Sequence, residues 1–346
     1  MGILKKSKPQ KEISCLGVAV DDFFIRVAEV KKDKKGFSLQ NYGEILHFGG
    51  DLKENFSLLI NEMEVKSKDV FFCLKNSAFS FFIFQTVFLP TKDISEQIKE
   101  KVRELFSLEP EKVIFDWQIV EGKITQKRKD KVKILLVGIQ KDFFEKWKEM
   151  AESLNFNFLG LEPKIFSQLR ALKESEKNFI LVDFEECEGS INFVEEKNLK
   201  LNKNINLLSK PLSFQLSEIS NFDAIFFEKI KVFSGILKGL ENGEKISEIL
   251  LPFLEKIVSE TETVVKNLFR ERKKIEKIIL TGGGLKIPGI KKYFERFFNL
   301  EIKEITSDVL FPKEISEISK EILETFLAAI GAAKKGIEKE KSYGRE

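Results

Sequence analysis

The chain has few of the residues on which common catalytic sites depend. It contains one histidine, His47, among 346 residues, which excludes a Ser-His-Asp triad or a multi-histidine metal site once His47 is read as a surface or capping residue. Its three cysteines, Cys15, Cys73 and Cys187, lie far apart and lack C-x-x-C spacing. That pattern indicates free thiols in a reducing compartment.

The chain also lacks an apolar run long enough to cross a bilayer. Its most apolar stretch, residues 79–89, contains Gln85 and Thr86 and is shorter than the roughly 20 residues that a spanning helix needs. The lysine-rich start, residues 1–12, has no apolar core and is not expected to be a signal peptide. We therefore predict a cytoplasmic protein with a flexible N-terminus at residues 1–12.

Neither sign of charge dominates the sequence. With 58 basic and 55 acidic side chains, the formal net charge is only +3, which argues against a dedicated nucleic-acid binder. The basic loop at residues 121–130 is better explained as a solvated hairpin tip than as a contact for nucleic acid or lipid. Hydrophobic residues make up 42% of the chain, with 34 phenylalanines, so we expect two or three packed subdomains with Phe-rich cores.

One stretch, residues 278–289, combines the strongest local signals. Its apolar start ends at Thr281, and Gly282, Gly283 and Gly284 follow before a helical pattern begins at Ile290. Such a pattern predicts a strand, a tight turn and a helix. Glycines at the turn let another surface approach the backbone closely. That surface could be a nucleotide, or the glycines could only relieve crowding at a corner.

Before this stretch, the pattern predicts an antiparallel meander, a helix and two more strands. Proline and a strongly amphipathic helix then introduce a small inserted α+β block. The predicted elements are strands at 14–20, 23–30, 37–46, 70–74, 78–87, 113–120 and 131–139, and helices at 52–66, 94–105 and 143–154.

The second half repeats the beginning of the first. A buried strand at 178–184, an acidic turn and a strand at 190–195 reproduce the pattern of residues 14–30, which indicates an internal duplication. Residues 212–244 show no assignable period. The remaining elements are a short helix at 164–172, helices at 246–274, 290–298 and 322–337, and a strand at 301–305.

This order of motifs resembles the actin-like ATPase fold, and in detail the PilM branch, which is related to FtsA. The segment Gly-Val-Ala-Val-Asp-Asp-Phe-Phe-Ile-Arg at residues 17–26 stands where that branch has Gly-Leu-Asp-Ile-Gly-Ser-Ser-Ser-Val-Lys. Thr-Gly-Gly-Gly-Leu at 281–285 and Ala-Ala-Ile-Gly-Ala-Ala at 328–333 also fit, and the resemblance covers nearly the whole chain.

The resemblance implies an α/β chain with a duplicated βββαβα actin-like fold and an inserted small α+β subdomain. The implied chain has a first actin-like subdomain at 13–88, the insert at 89–160, a second half at 161–337 whose final helix, 322–337, packs back on the first, and a charged tail at 338–346. In FtsA the last helix anchors the protein to the membrane, but for residues 322–337 we favour core packing.

By resemblance, a vestigial ATP site would comprise Arg26, Asp183, Gly282, Gly283 and Gly284. The two phosphate-binding turns depart from the family's pattern, because acidic and bulky residues replace glycine and serine. A phosphate cradle needs exposed backbone N–H groups and no competing negative charge. One like-charge contact costs about 1–4 kcal/mol, against about 8 kcal/mol for micromolar affinity. The carboxylates that crowd the turns belong to Asp21, Asp22, Glu185, Glu186 and Glu188.

We therefore expect no catalytic residue, no resident metal and no required cofactor, although ATP and Mg²⁺ remain possible if the site still functions. The resemblance implies a scaffold of a type IV pilus or a related secretion or competence assembly. It would bind the cytoplasmic N-terminal peptide of a PilN-like bitopic membrane protein, together with other pilus proteins, and would meet the inner membrane only through partners. Candidate peptide-binding residues are Phe84, Ile94, Ile98 and Val102.

Two alternatives stay open. One is a working ATP-binding protein, either a slow ATPase or an FtsA-like filament former. The other concerns self-association, because a homo-oligomer is compatible with the sequence.

Overall fold

The structure is a computed structural model that describes residues 13–34, 36–47, 50–88, 94–122, 130–172, 176–185, 187–207, 243–286, 289–305 and 320–343. Within these residues the chain forms three β-sheets, two of five strands and one of three. No helix in the described ranges is long and apolar enough to span a membrane. The predicted flexible start at 1–12 and the unassigned stretch at 212–242 lie outside these ranges.

The first five-stranded sheet contains the predicted meander. Its strand order is β3-β2-β1-β4-β8, with β1 antiparallel to β2 and parallel to β4. Strand β8 pairs with β4 at the edge of this sheet and was missed. Because β8 and the helix that follows it at Lys164 pack on the first sheet, the first half extends beyond the predicted boundary at residue 161. The elements are β1 (Ile13–Val20), β2 (Phe24–Lys32), β3 (Phe37–Leu46), α1 (Leu52–Glu62), β4 (Asp69–Leu74), β8 (Asn157–Pro163) and α4 (Lys164–Ala171).

The inserted block begins one strand earlier than predicted. Strand β5 was placed in the first subdomain, but it pairs with β7 in a three-stranded sheet of order β5-β7-β6. Helix α3 returns the chain to β8, so its partly buried rings Phe144 and Trp147 pack against the first core. The insert therefore spans about residues 80–140. Its elements are β5 (Ser80–Phe88), α2 (Ile94–Phe106), β6 (Val113–Glu121), β7 (Asp130–Gln140) and, at its exit, α3 (Lys141–Ser153).

The second five-stranded sheet reproduces the first. Its order is β11-β10-β9-β12-β13, again with one antiparallel and one parallel neighbour at the central strand. This equivalence confirms the predicted duplication. The elements are β9 (Phe179–Phe184), β10 (Glu188–Glu195), β11 (Asn198–Asn206), α5 (Gly243–Arg270), β12 (Lys277–Thr281), α6 (Ile290–Glu295) and β13 (Glu301–Glu304).

The last helix, α7 (Lys320–Tyr343), packs on the first sheet. Its residues Phe326–Ala329 and Ile337 are buried in the first core, as expected for a packing helix. A β-carbon on Gly17 would lie 1.8 Å from the carbonyl oxygen of Ala329, so only glycine lets β1 and α7 come this close. The helix does not give way to a loose tail at Ile337 but continues to Tyr343.

Candidate functional site

The turn between β1 and β2 is held together by its own carboxylate. Asp21 Oδ1 accepts hydrogen bonds from the backbone N–H groups of Phe23 at 2.8 Å and Phe24 at 2.7 Å. His47 closes the turn from outside, with Nε2 at 2.7 Å from the carbonyl oxygen of Asp21. In this turn a side-chain carboxylate therefore takes backbone donors that an anion would need.

Arg26 neutralises that carboxylate. Its guanidinium contacts Asp21 Oδ2 and donates from Nε to Glu44 Oε2 at 3.1 Å, while its side chain is only 7% exposed. Burial disfavours the charge, but the nearby carboxylates Asp21, Glu185 and Glu44 outweigh burial and raise the pKa of Arg26 above its usual value. The charge of Arg26 is thus paired with the carboxylates of Asp21 and Glu44.

The second turn, after β9, is neutralised by a lysine from the first half. Lys164, the first residue of α4, lies with Nζ 3.0 Å from Asp183 Oδ2 and also contacts Glu185. Burial works against its charge, but Asp183 and Glu185 prevail and raise the pKa of Lys164. Gln168, one turn further along α4, donates to Asp183 Oδ1 at 2.9 Å.

The two acids of this turn differ in protonation behaviour. Burial raises the pKa of Asp183, and the charge on Glu185 adds to that rise despite Lys164. Burial opposes ionisation of Glu185 too, but Lys164 and Arg26 overcome it and lower the pKa of Glu185 to about 2. Glu185 is therefore the firmly ionised member of the pair.

The glycine-rich turn meets this acidic turn directly. The backbone N–H of Gly283 donates to Glu185 Oε2 at 2.9 Å. Gly282 has φ of +99°, and a β-carbon there would lie 2.4 Å from the carbonyl oxygen of Phe184. A β-carbon on Gly284 would meet the Phe184 ring at 2.0 Å. The glycines therefore accommodate Phe184 and Glu185, which is the crowding interpretation of the sequence.

Further polar contacts cross the cleft between the halves. Asn76 Nδ2 donates to Ser190 Oγ at 3.1 Å, and Ser77 Oγ donates to Glu188 Oε2 at 2.6 Å. Lys75 Nζ lies 4.0 Å from Glu188 Oε2 across the cleft and pairs with Asp22 of its own half at 2.5 Å. The cavities lined by the two turns measure about 20 Å³ and 10 Å³, room for about one water each, whereas ligand pockets span roughly 300–1,000 Å³.

All five predicted nucleotide-site residues, Arg26, Asp183 and Gly282–Gly284, therefore converge on one cleft. The sequence interpretation missed its main cation, Lys164, and its amide, Gln168. No local motif distinguishes them from the neighbouring polar residues of an amphipathic helix, although a lysine immediately after Pro163 is a weak signal. Of the predicted acids, Glu186 lies outside the described residues.

A much larger space lies elsewhere, and we call it the interdomain groove. It is a cavity of about 610 Å³ between the insert, the first sheet and α7. Consecutive residues of two strands line it, Ile114–Gln118 of β6 and Phe158–Pro163 of β8. Both strands stand at the edge of their sheets, β6 next to β7 and β8 next to β4, so two strand edges border the groove. Helices α4 and α7 and strand β7 also line it, and the second half contributes Lys197 and Leu199.

Two of the four predicted partner-binding residues, Ile98 and Val102, are too buried to meet a partner, and the predictions for Phe84 and Ile94 stay untested. Ile98 and Val102 are 1% and 0% exposed, and they cover the three-stranded sheet with Ile134 and Leu136. The apolar side of α2 is therefore buried within the insert. Phe84 is half-buried against the same cluster, with Lys101 Nζ 6.0 Å from its ring. Among described side chains, none of these three lines the interdomain groove. The side chain of Ile94 lies outside the described residues.

Solved structures share this architecture over the whole chain. The structure titled PilM-PilN type IV pilus biogenesis complex matches with a TM-score of 0.77 at 17% identity, covering 94% of this chain and 99% of that chain. MreB5 of Spiroplasma citri bound to AMPPNP matches with a TM-score of 0.52 at 12% identity, covering 96% and 98%. No protein-family model and no curated protein sequence matches. The chain has the actin-like fold, and the resemblance to PilM is confirmed at the level of fold.

Proposed function

We propose that this protein is a PilM-like scaffold of a type IV pilus or related secretion or competence assembly. The observation that carries the proposal is the match to the chain of a PilM–PilN complex over 94% of this chain and 99% of that one. The partner would be a PilN-like membrane protein whose N-terminal segment reaches into the cytoplasm. The scaffold would then be cytoplasmic and meet the inner membrane only through its partners.

The interdomain groove is the site that suits such a segment. Its volume of about 610 Å³ falls within the range of ligand pockets. The edges of β6 and β8 border it, and an extended peptide can add to such an edge through main-chain hydrogen bonds. Ile114 and Trp117 offer apolar surface, and Lys335 and Lys339 lie where α7 borders the groove. This site replaces α2 as the proposed peptide-binding surface.

The nucleotide cleft is proposed to be degenerate. Asp21 and Glu185 already hold the backbone donors of Phe23, Phe24 and Gly283. A triphosphate would have to displace two carboxylates that are paired with buried cations. Leaving one partner of such a pair unpaired costs about 3–5 kcal/mol, which consumes much of the roughly 8 kcal/mol of a micromolar complex.

A peptide titration tests the proposal. A fluorescent peptide containing Ile-Asn-Leu-Leu, the partner segment that the resemblance to the PilM branch implies, should bind to the wild-type protein. Ile114→Asp places a charge in the groove and should weaken binding about tenfold or more, because lost apolar burial and a desolvated carboxylate together exceed 1.4 kcal/mol. Val87→Asp is the matched control, since Val87 and Ile114 belong to the same sheet and are 39% and 36% exposed. Equal effects of both variants would count against the groove.

The alternative, a functional ATP-binding protein, is favoured by one observation. Arg26, Asp183 and the three glycines converge on the cleft, and the fold is shared with an MreB5 structure that holds AMPPNP. Under this alternative, MgATP would raise the melting temperature, and ATP addition would move the protein into the pellet if filaments form. Under the scaffold proposal neither change occurs.

A further inference from the structure

We infer that the ion pairs of Lys164 close the cleft between the two halves and hold α4 in the position that shapes the interdomain groove, so that groove formation needs no nucleotide. The inference rests on the proposed function only where the groove's occupant is concerned. The closure itself is argued from contacts within this chain.

Lys164 connects the halves at the point where a bound ligand would otherwise connect them. It belongs to α4, which follows β8 of the first sheet, and its partners Asp183 and Glu185 belong to the turn after β9 of the second sheet. The side chains of Lys164, Asp183 and Glu185 are 12%, 7% and 14% exposed. Such a shielded triad is costly to separate, because opening would leave buried charges without partners.

Glu185 extends this link to the glycine-rich turn. Its Oε1 contacts Lys164 and its Oε2 accepts from the N–H of Gly283 at 2.9 Å. A backbone N–H at a glycine turn is a usual partner of a bound phosphate. In this chain the carboxylate takes that donor, and the ammonium of Lys164 supplies the positive charge between acids. The chain thus bridges its own halves with groups that resemble an anion and its counter-ion.

Helix α4 also forms part of the interdomain groove. Phe166, Leu169 and Arg170 line the groove, and Arg170 Nη2 donates to Glu162 Oε2 at 3.0 Å. A β-carbon on Gly331 of α7 would lie 1.8 Å from the carbonyl oxygen of Ser167, so α4 and α7 are in backbone contact. Helix α4 has eight residues, which corresponds to a length of about 12 Å at 1.5 Å per residue. We expect such a short helix to move as a rigid body.

Loss of the ion pairs of Lys164 should therefore change the shape of the groove. If the cleft opens, Lys164 loses its two acidic partners, while the contact of Ser167 with α7 and the ion pair of Arg170 with Glu162 hold the middle and the C-terminal end of α4. Tilting of the rod would displace Phe166 and Leu169 relative to β6 and β8. Lys164 is thus assigned the role of a positioning residue for the groove.

Distance measurement by electron spin resonance tests the closure in the full chain. Spin labels at Glu62→Cys of α1 and Lys266→Cys of α5 report on the first and second halves. Cys187, which is only half-buried, is changed to serine so that it does not react with the label, whereas Cys15 and Cys73 are buried and are kept. We expect one narrow distance population in the parent protein, with or without MgATP. Lys164→Met and Glu185→Gln should each broaden it and add a longer population, and the double variant should add little beyond either single variant.

Lys203→Met is the matched control, because Lys203 and Glu260 form a 2.5 Å ion pair that lies wholly within the second half. It should leave the distances unchanged. Unchanged distances in both cleft variants, or a parent population that narrows only with MgATP, would overturn the inference. Circular dichroism melting identifies a variant that fails to fold, and the other cleft variant then carries the test.

Titration with the Ile-Asn-Leu-Leu peptide gives the second readout. Lys164→Met should weaken binding several-fold although Lys164 does not line the groove, while Lys203→Met should not. Absence of binding by the parent protein would contradict the proposed partner and leave the distance result to decide on the closure. Opening of the cleft with unchanged peptide affinity would overturn the coupling to the groove.

Discussion

Glu185 accepts a hydrogen bond from the backbone N–H of Gly283 at 2.9 Å, and this single contact joins the acidic turn to the glycine-rich turn. A carboxylate thus occupies a backbone donor of the kind that binds phosphate in other proteins. The donors and charges of the cleft are therefore paired with groups of the protein itself. A nucleotide would have to displace Glu185 from Gly283 and Lys164 in order to bind.

Replacing Glu185 by glycine should raise the affinity for MgATP. The change releases the N–H of Gly283, frees Lys164 for a phosphate and removes one like-charge contact worth about 1–4 kcal/mol, so a gain of about tenfold or more is expected. Isothermal titration of wild type, Glu185→Gly and the distant control Glu195→Gln measures it. An affinity that falls in Glu185→Gly would instead assign Glu185 to nucleotide binding.

Asp21→Gly is a less selective version of the same test. Asp21 caps two backbone N–H groups and pairs with Arg26, whose side chain is 7% exposed. The substitution should lower the free energy of unfolding, because a buried guanidinium loses a partner. It should also raise the affinity for MgATP, because it releases the N–H groups of Phe23 and Phe24.

The pairing of Glu185 predicts a specific dependence of stability on pH. Its pKa of about 2 lies below the ordinary value of 4.5, so its contribution to the free energy of unfolding is complete above about pH 4.5. That contribution, on the order of 1–3 kcal/mol, is lost as the pH falls from about 4.5 towards 2. Urea unfolding of wild type and Glu185→Gln should therefore give curves that converge on acidification. A difference in stability that does not change with pH would contradict the ion pairing.

Gly17→Ala should destabilise the first half. Its added methyl group would lie 1.8 Å from the carbonyl oxygen of Ala329 and 2.4 Å from the amide nitrogen of Ala333. Backbone cannot yield as a side chain can, so we expect a loss of about 3 kcal/mol or more. Gly43→Ala is the control, because its nearest neighbours are the flexible side chains of Met63 and Leu59. Denaturant midpoints compare the two variants, and similar losses in both would argue against close packing of β1 on α7.

Much of the fold follows from local signals in the sequence. The meander, the strand–turn–helix at the three glycines and the repeat of the first motif were predicted because turn residues and apolar periodicity mark them directly. Strand β8 and the placement of β5 were not, because a parallel edge partner and a sheet's membership are set by contacts distant in sequence. Long-range contacts also explain why Lys164 was missed, since its acidic partners lie 19 and 21 residues away.

The same reason explains why the burial of Ile98 and Val102 was not foreseen. The apolar positions of α2 were predicted to line the peptide groove, but Ile98 and Val102 pack against the three-stranded sheet instead. Ile98→Ala should therefore lower stability by about 2–4 kcal/mol without a matching loss of peptide affinity once the variant is folded. Hydrogen exchange should locate the destabilisation in the three-stranded sheet. Loss of peptide affinity with unchanged stability would return α2 to the binding surface.

The most direct test of the scaffold account is one titration performed twice. The Ile-Asn-Leu-Leu peptide is titrated into the wild-type protein in nucleotide-free buffer and again in saturating MgATP. The account predicts binding in both, with the same dissociation constant, because Lys164 and Glu185 already close the cleft. Binding that appears or strengthens only in MgATP, or no binding in either, would contradict it.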